Sequence, residues 1–422
     1  MARRDELPPL PHLLRDLQDA RWRLRALTDD LDGPRLSVPY LPNLNPPLWE
    51  LGHVAWFQEW WLLRDGGRRP SLLAHADELY DSAAVAHDTR WSLPLLDLGA
   101  THRYLDDVLC EVIERADALD PYFVWLAAQH EDMHGEAFLY MRHAQRHPPP
   151  PIRTPPPPEG GARTGDVQLG GHTFRLGAER GGPVVFDNEK WAHEVFVAPF
   201  AIARAPVTQA EYAAFVDADG YRRREWWDAE GWGWRARVAA EHPALWQRDA
   251  GGGWLRVHFD RVAPLEPHRP VLGVSWHEAQ AYCRFAGRRL PTEEEWELAA
   301  GGAEKRRQPW GEAMPLAPLA SVDAVHLDTA DVGAFAAGDS AAGCRQMCGN
   351  VWEWTASAFT PYPGFERDPY AAYSEPWFHS HRVLRGGSFA SRGRTLRNTM
   401  RNFYLPWRRD MFCGFRTVAV RG

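Results

Sequence analysis

The alternation of apolar and polar positions divides the chain in two. Over its first third, apolar residues recur at helical spacing. Leu13, Leu14, Leu17, Ala20, Trp22, Leu24 and Leu27 fall roughly on one face, which predicts a helix over about 13–27. Pro46 and Pro47 put proline in the first turn of a second helix, about 48–63. Its apolar residues are mostly aromatic: Trp49, Trp56, Phe57, Trp60 and Trp61. A third helix is predicted over about 101–118. A fourth, about 122–146, opens after Asp120-Pro121, an N-cap and first-turn pair. The connection over about 65–100 is long. Four helices before residue 148 suggest a four-helix bundle.

Helical periodicity stops at Pro148–Pro158, where eight of eleven residues are proline. Such a segment favours extended polyproline II and acts as a semi-rigid spacer. It separates residues 1–147 from residues 159–422. The second part shows short β-like runs, Val184 to Phe186 and Glu194 to Phe200, parted by turn residues. Two helical stretches follow, Gln209 to Ala218 and Trp276 to Ala286. A third starts at Thr292, where Thr292-Glu293-Glu294-Glu295 fits a capping box. The remainder is Gly- and Trp-rich loop. The fold class is therefore α+β: a helical bundle followed by a loop-rich mixed domain, with no internal repeat.

Composition narrows the function. The 422 residues include 48 basic and 56 acidic side chains, a net charge of −8. That argues against a phosphate-backbone binder, so no nucleic-acid partner is expected. No apolar run approaches the ~20 residues of a membrane-spanning helix. Five cysteines are too few and too odd for a disulfide scaffold. The N-terminal stretch has no apolar secretory core, so the expected location is cytoplasmic. The 21 tryptophans point to large, flat, amphipathic surfaces. No oligomeric state follows from the sequence.

The fourth helix carries His130-Glu131-Asp132-Met133-His134-Gly135-Glu136. Histidines at i and i+4 lie one turn apart on one face, so both imidazoles can reach a single ion. The alternative is a pair of surface histidines at helical spacing. Glu131 and Glu136 lie about 100° and about 200° round the helix from the nearer histidine, so neither easily reaches that ion. Glu136 is better placed as a supporting or capping group. The best third ligand is His53, embedded in the apolar stretch Trp49 to Phe57, where a histidine needs a reason. Its alternative is a buried neutral histidine. Three imidazoles leave coordination positions open, as in catalytic zinc sites or ferrous sites that await oxygen.

The pattern His53 … His130-x3-His134-x-Glu136 resembles the DinB-like helical domain of the ergothioneine-type sulfoxide synthases. The second part is similar to their partner domain, of the formylglycine-generating-enzyme fold. Six motifs carry that similarity in order: Pro206-Val207-Thr208; Pro270 to Trp276; Arg289 to Glu297; Gly349-Asn350-Val351-Trp352-Glu353-Trp354-Thr355; Arg385-Gly386-Gly387-Ser388-Phe389; and Gly414-Phe415-Arg416. The resemblance implies Fe(II) on His53, His130 and His134, O2 as co-substrate, and hercynine (Nα-trimethylhistidine) as a small-molecule substrate. It implies an oxidoreductase that joins a chalcogen to the imidazole C2.

The same resemblance implies roles for further residues. Tyr362, or its rival Tyr404, is the proton or electron donor. Asn402 and Phe403 face the trimethylammonium side, and Trp354 offers an aromatic face to it. Arg408, Arg409 and Asp410 contact the donor substrate. Met133 stands where the family usually has a glutamine that contacts substrate. With Met133, the wording around His53 and the run Arg409-Asp410-Met411-Phe412, the chain looks most like selenoneine synthase, whose donor is a selenosugar. The alternatives are a thiol donor, cysteine or γ-glutamylcysteine; a zinc-dependent thiol transferase; formylglycine generation through Cys344 and Cys348; and a ligand-binding module without catalysis.

Overall fold

The computed structural model describes residues 7–420. The chain forms two compact units. One ends at Met141 and takes in Pro150–Ile152; the other comprises Arg142–Pro149 and the chain from Arg153 onward. The proline-rich segment is thus shared between them.

The first unit is helical: α1 (Leu10–Thr28), α2 (Gly33–Leu36), α3 (Pro47–Leu62), α4 (Ala76–Tyr80), α5 (Leu98–Glu114) and α6 (Pro121–Ala144), whose last residues belong to the second unit. The four long helices fall where the periodicity predicts them. Leu13, Leu17, Ala20, Leu24 and Leu27 form the buried stripe of α1, but Trp22 points outward and is 68% exposed. Pro47 occupies the first turn of α3. That helix is buried continuously from Trp49 to Glu59, as its all-round aromatic character requires. It packs against α5 and α4. Beneath it, buried Arg21 of α1 pairs with Glu131 of α6 at 2.7 Å and reaches Gln58 of α3 at 3.2 Å. A buried pair needs this completeness, since either partner alone would be an uncompensated charge.

The connection between α3 and α5 is not a plain loop. It holds α4, and Gly52 of α3 lets that short helix approach. A Cβ on Gly52 would lie 2.1 Å from the buried Tyr80 ring.

The second unit is α+β. Strands β1 (Asp166–Leu169), β2 (His172–Leu176), β3 (His193–Val197) and β4 (Phe200–Ala203) lead into helices α7 (Gln209–Asp217) and α8 (Ala229–Arg237). Strands β5 (Trp246–Arg248), β6 (Trp254–His258) and β7 (Arg261–Pro264) precede α9 (Trp276–Phe285), β8 (Arg288–Arg289) and α10 (Glu293–Gly301). Then come β9 (Trp352–Ala358), β10 (Arg382–Arg385), β11 (Asn402–Tyr404), β12 (Cys413–Gly414) and β13 (Val418–Ala419). Two four-stranded sheets run β1-β4-β13-β8 and β11-β10-β9-β12; β2 pairs with β3, and β5-β6-β7 form a three-stranded sheet.

Two strand expectations change. Val184 to Phe186 is buried coil ahead of a 3-10 turn at Asp187–Glu189, because burial alone does not distinguish a short apolar strand from packed coil. The run from Glu194 to Phe200 is two strands, broken beside Pro199, whose ring cannot join a ladder.

The conspicuous motifs prove to be fasteners. Thr208, Ser275 and Thr292 each cap a helix through a reciprocal pair with Glu211, Glu278 and Glu295. Glu353 of β9 and Arg416 are both fully buried and meet through two bonds of 2.6 Å, with the Trp296 indole donating to the same carboxylate at 2.9 Å. Glu293 of α10 gathers Arg385 and Arg401 at 3.0 and 2.9 Å.

Candidate metal centre

α3 and α6 bring His53, His130 and His134 together, with one ligand atom from each lying within 4.8 Å of the others. Among the described residues this is the one cluster of three such side chains. The Nε2 atoms of His130 and His134 are 3.0 Å apart. The i,i+4 spacing provides that pair, and the apolar burial of α3 drives His53 inward to join them.

The opposite ring nitrogens of His53 and His134 are tied back. His53 Nδ1 donates to the Tyr80 carbonyl at 2.8 Å, and His134 Nδ1 donates to Glu50 Oε1 at 2.6 Å. Each bond fixes the tautomer that leaves the Nε2 lone pair free for an ion. Aromatic walls set the ring planes: His130 lies flat on Phe57 at 3.6 Å, and His53 stacks on Trp49 at 5.0 Å.

Electrostatics favour neutral ligands. Burial, reinforced by the neighbouring His134, lowers His53 to about 3. Burial and the two other imidazoles hold His130 well below its ordinary value. Glu50 responds the other way. Burial would raise it, but the His134 contact and an Asn45 amide 2.5 Å away bring it down to about 2. The site thus offers two imidazoles that burial keeps neutral, and a third, His134, with a carboxylate behind it. That donor set fits a borderline dication such as Fe(II) or Zn(II), with positions left open.

The three histidines are legible in the sequence; their supports are not. The carboxylate behind His134 is Glu50, three residues before His53 on α3. Its signal was an acid inside an aromatic helix. Tyr80, acting through its backbone, left no signal.

The other candidate residues divide between the units. Met133 lies half-buried on α6. All the rest belong to the second unit. On β11, Asn402 Oδ1 accepts from the Phe403 amide at 2.8 Å. The Phe403 ring stacks on Phe359 at 4.1 Å. Tyr404 is half-buried, with the Arg408 guanidinium 4.7 Å over its ring. Arg408 pairs with Asp410, and Arg409 reaches Glu278 at 3.2 Å. Trp354 is fully buried and donates to the Val274 carbonyl at 3.1 Å. Tyr362 is buried too, donating to Glu293 and receiving from Arg385, both at 3.2 Å.

Arg382 of β10 escaped the sequence reading. It pairs in register with Tyr404 and lies 4.2 Å over the Trp276 ring. Its guanidinium has no hydrogen bond or ion pair among the described residues, and burial lowers its basicity. Cys344 and Cys348 are free thiols, both buried, and burial raises both above the ordinary thiol value.

The chain is similar in sequence to known proteins. The sulfatase-modifying factor enzyme 1-like domain family matches residues 155–421. A hercynine oxygenase of Mycolicibacterium thermoresistibile is 39% identical, over 97% of this chain and 95% of that protein. The hercynine oxygenase of Mycobacterium tuberculosis is 38% identical, over 94% of this chain and 96% of its own length. A formylglycine-generating enzyme of Thermomonospora curvata is 35% identical but covers 53% of this chain and 82% of that protein.

Proposed function

We propose that this chain, which belongs to the hercynine oxygenase family and carries a sulfatase-modifying factor enzyme 1-like domain, is an O2-dependent non-haem iron enzyme joining hercynine to a selenosugar through a carbon–selenium bond. The observation that carries the reading is the convergence of three imidazoles, two of them with the far nitrogen already bonded. His53, His130 and His134 hold the Fe(II), which when bound supplies one-electron activation of O2. Glu50 balances part of its charge. Phe57 and Trp49 keep the imidazoles from turning away.

The second unit supplies the substrate groups. A quaternary ammonium cannot form a conventional hydrogen bond and is held by aromatic faces. Phe403 offers such a face, with Asn402 beside it. Arg382, lacking an anion of its own, is the second unit's anchor for the hercynine carboxylate. Tyr404 supplies the proton. This reading favours it over Tyr362, whose hydroxyl is enclosed by Glu293 and Arg385. Trp354 serves as packing, since no face of it is open.

The choice of donor rests on the arginines. Arg408 and Arg409 are each neutralised within the chain, by Asp410 and Glu278. That suits a neutral sugar better than a donor with free carboxylates. Formylglycine generation is disfavoured, because a buried thiol with a raised pKa is a poor source of the thiolate that binds metal.

The test is aerobic turnover of Fe(II)-loaded protein with hercynine, offering a selenosugar, cysteine and γ-glutamylcysteine in parallel, read by mass spectrometry. A selenosugar–hercynine adduct is expected. An adduct only with a thiol returns the chain to C–S bond formation. Undiminished activity under strict anaerobiosis points to a zinc thiol transferase. No adduct with any donor overturns the reading.

A further inference from the structure

Arg90 lies in the connection between α4 and α5, far in sequence from every histidine of the cluster. It is 8% exposed and makes no ion pair among the described residues. Burial lowers its basicity, and its Nε is enclosed without a hydrogen-bond partner. A buried, unpaired guanidinium is costly, so a site that keeps one calls for an explanation.

Its contacts supply one. Arg90 Nη1 donates to Asn45 Oδ1 at 2.7 Å. The Asn45 amide donates to Glu50 Oε2 at 2.5 Å, and Glu50 Oε1 accepts from His134. The flat face of the same guanidinium lies 3.7 Å over Trp49. Trp49 in turn stacks on His53 with ring planes 7° apart. Nη2 fixes the arginine to its own loop through the Val85 carbonyl at 3.1 Å. One side chain therefore ends two separate chains of contact, each terminating on a different imidazole.

We infer that Arg90 is a positioning residue for the metal centre, a cross-brace that orients His134 through Asn45 and Glu50 and His53 through Trp49. The inference rests on the metal reading above. A planar fork with a stacking face can serve both arms at once; an ammonium cannot. Simple electrostatics gives the opposite expectation, because a cation close to the site repels a dication. Removing the brace while keeping its charge separates the two effects.

The experiment is Co(II) binding to the full chain, measured by competition with a chromophoric chelator and by the visible absorption of the bound ion. The variants are Arg90→Lys and Asn45→Ala, each checked for wild-type thermal unfolding. Arg90→Lys preserves the charge and is expected to weaken Co(II) binding about 10-fold or more, with an altered absorption band. Asn45→Ala is expected to shift the band in the same direction with a smaller loss. Wild-type affinity and spectrum in both variants overturn the inference. Should Arg90→Lys fail to fold, an unchanged Asn45→Ala overturns it alone. A wild-type chain that binds no Co(II) overturns the metal reading itself, whereas tight wild-type binding with unaltered variants overturns only the brace.

Discussion

The second unit buries its polar groups as closed ion pairs, whereas the helical unit holds a second kind of cluster beside one such pair, Arg21 with Glu131. In the second unit the buried charges face one another: Glu353 with Arg416, and Glu293 with Arg385 and Arg401. In the helical unit the imidazoles of His53, His130 and His134 converge, with the Nε2 atoms of the last two 3.0 Å apart. A closed ion pair holds a fold in one arrangement. Converging bases with fixed far sides form a site. The most recognisable motifs lie in the first kind of cluster, and the chemistry in the second.

Breaking a closed pair should give the largest loss of stability and leave metal binding intact. Glu353→Gln leaves Arg416 buried without its counter-charge, at a cost of about 3–5 kcal/mol. Urea unfolding of the second unit should show that loss, while Fe(II) stoichiometry stays at the wild-type level. A change at the approach of α4 should touch both properties. Gly52→Ala drives a methyl into the Tyr80 ring and withdraws the carbonyl that fixes His53. The expected cost is about 1–3 kcal/mol, with weakened metal binding by chelator competition.

Acid should act on the open cluster of the metal-free chain. His53 and His130 are neutral when folded and take up protons when unfolded below about pH 6.5. The unfolded state then binds more protons, so stability falls as the pH drops from about 6.5 toward 3. Each histidine contributes about 1.4 kcal/mol per pH unit. Denaturant unfolding of the helical unit at several pH values checks this. The smallest effect belongs to a cap: Thr292→Ala should cost about 1 kcal/mol and leave the metal centre untouched.

How much was legible follows the same division. The long helices were visible because period, prolines and caps agree over many residues. The histidine pair was visible because spacing alone brings its members together, and His53 because it is out of place in an apolar helix. Tyr80 and Arg90 sit in a polar connection with no period, and their roles depend on long-range contacts that no local pattern records. α8 was hidden by its two glycines; Asp228 caps it and burial of Trp234 holds it. The six motifs marked the family well, yet their glutamates and arginines serve mainly to fasten loops.

The central claim is that the converging imidazoles bind the metal. The most direct test is anaerobic Fe(II) titration of the wild-type chain and of His53→Ala, His130→Ala and His134→Ala. One tightly bound ion per chain is expected in the wild type, with its loss in each variant. Undiminished binding in all three would contradict it.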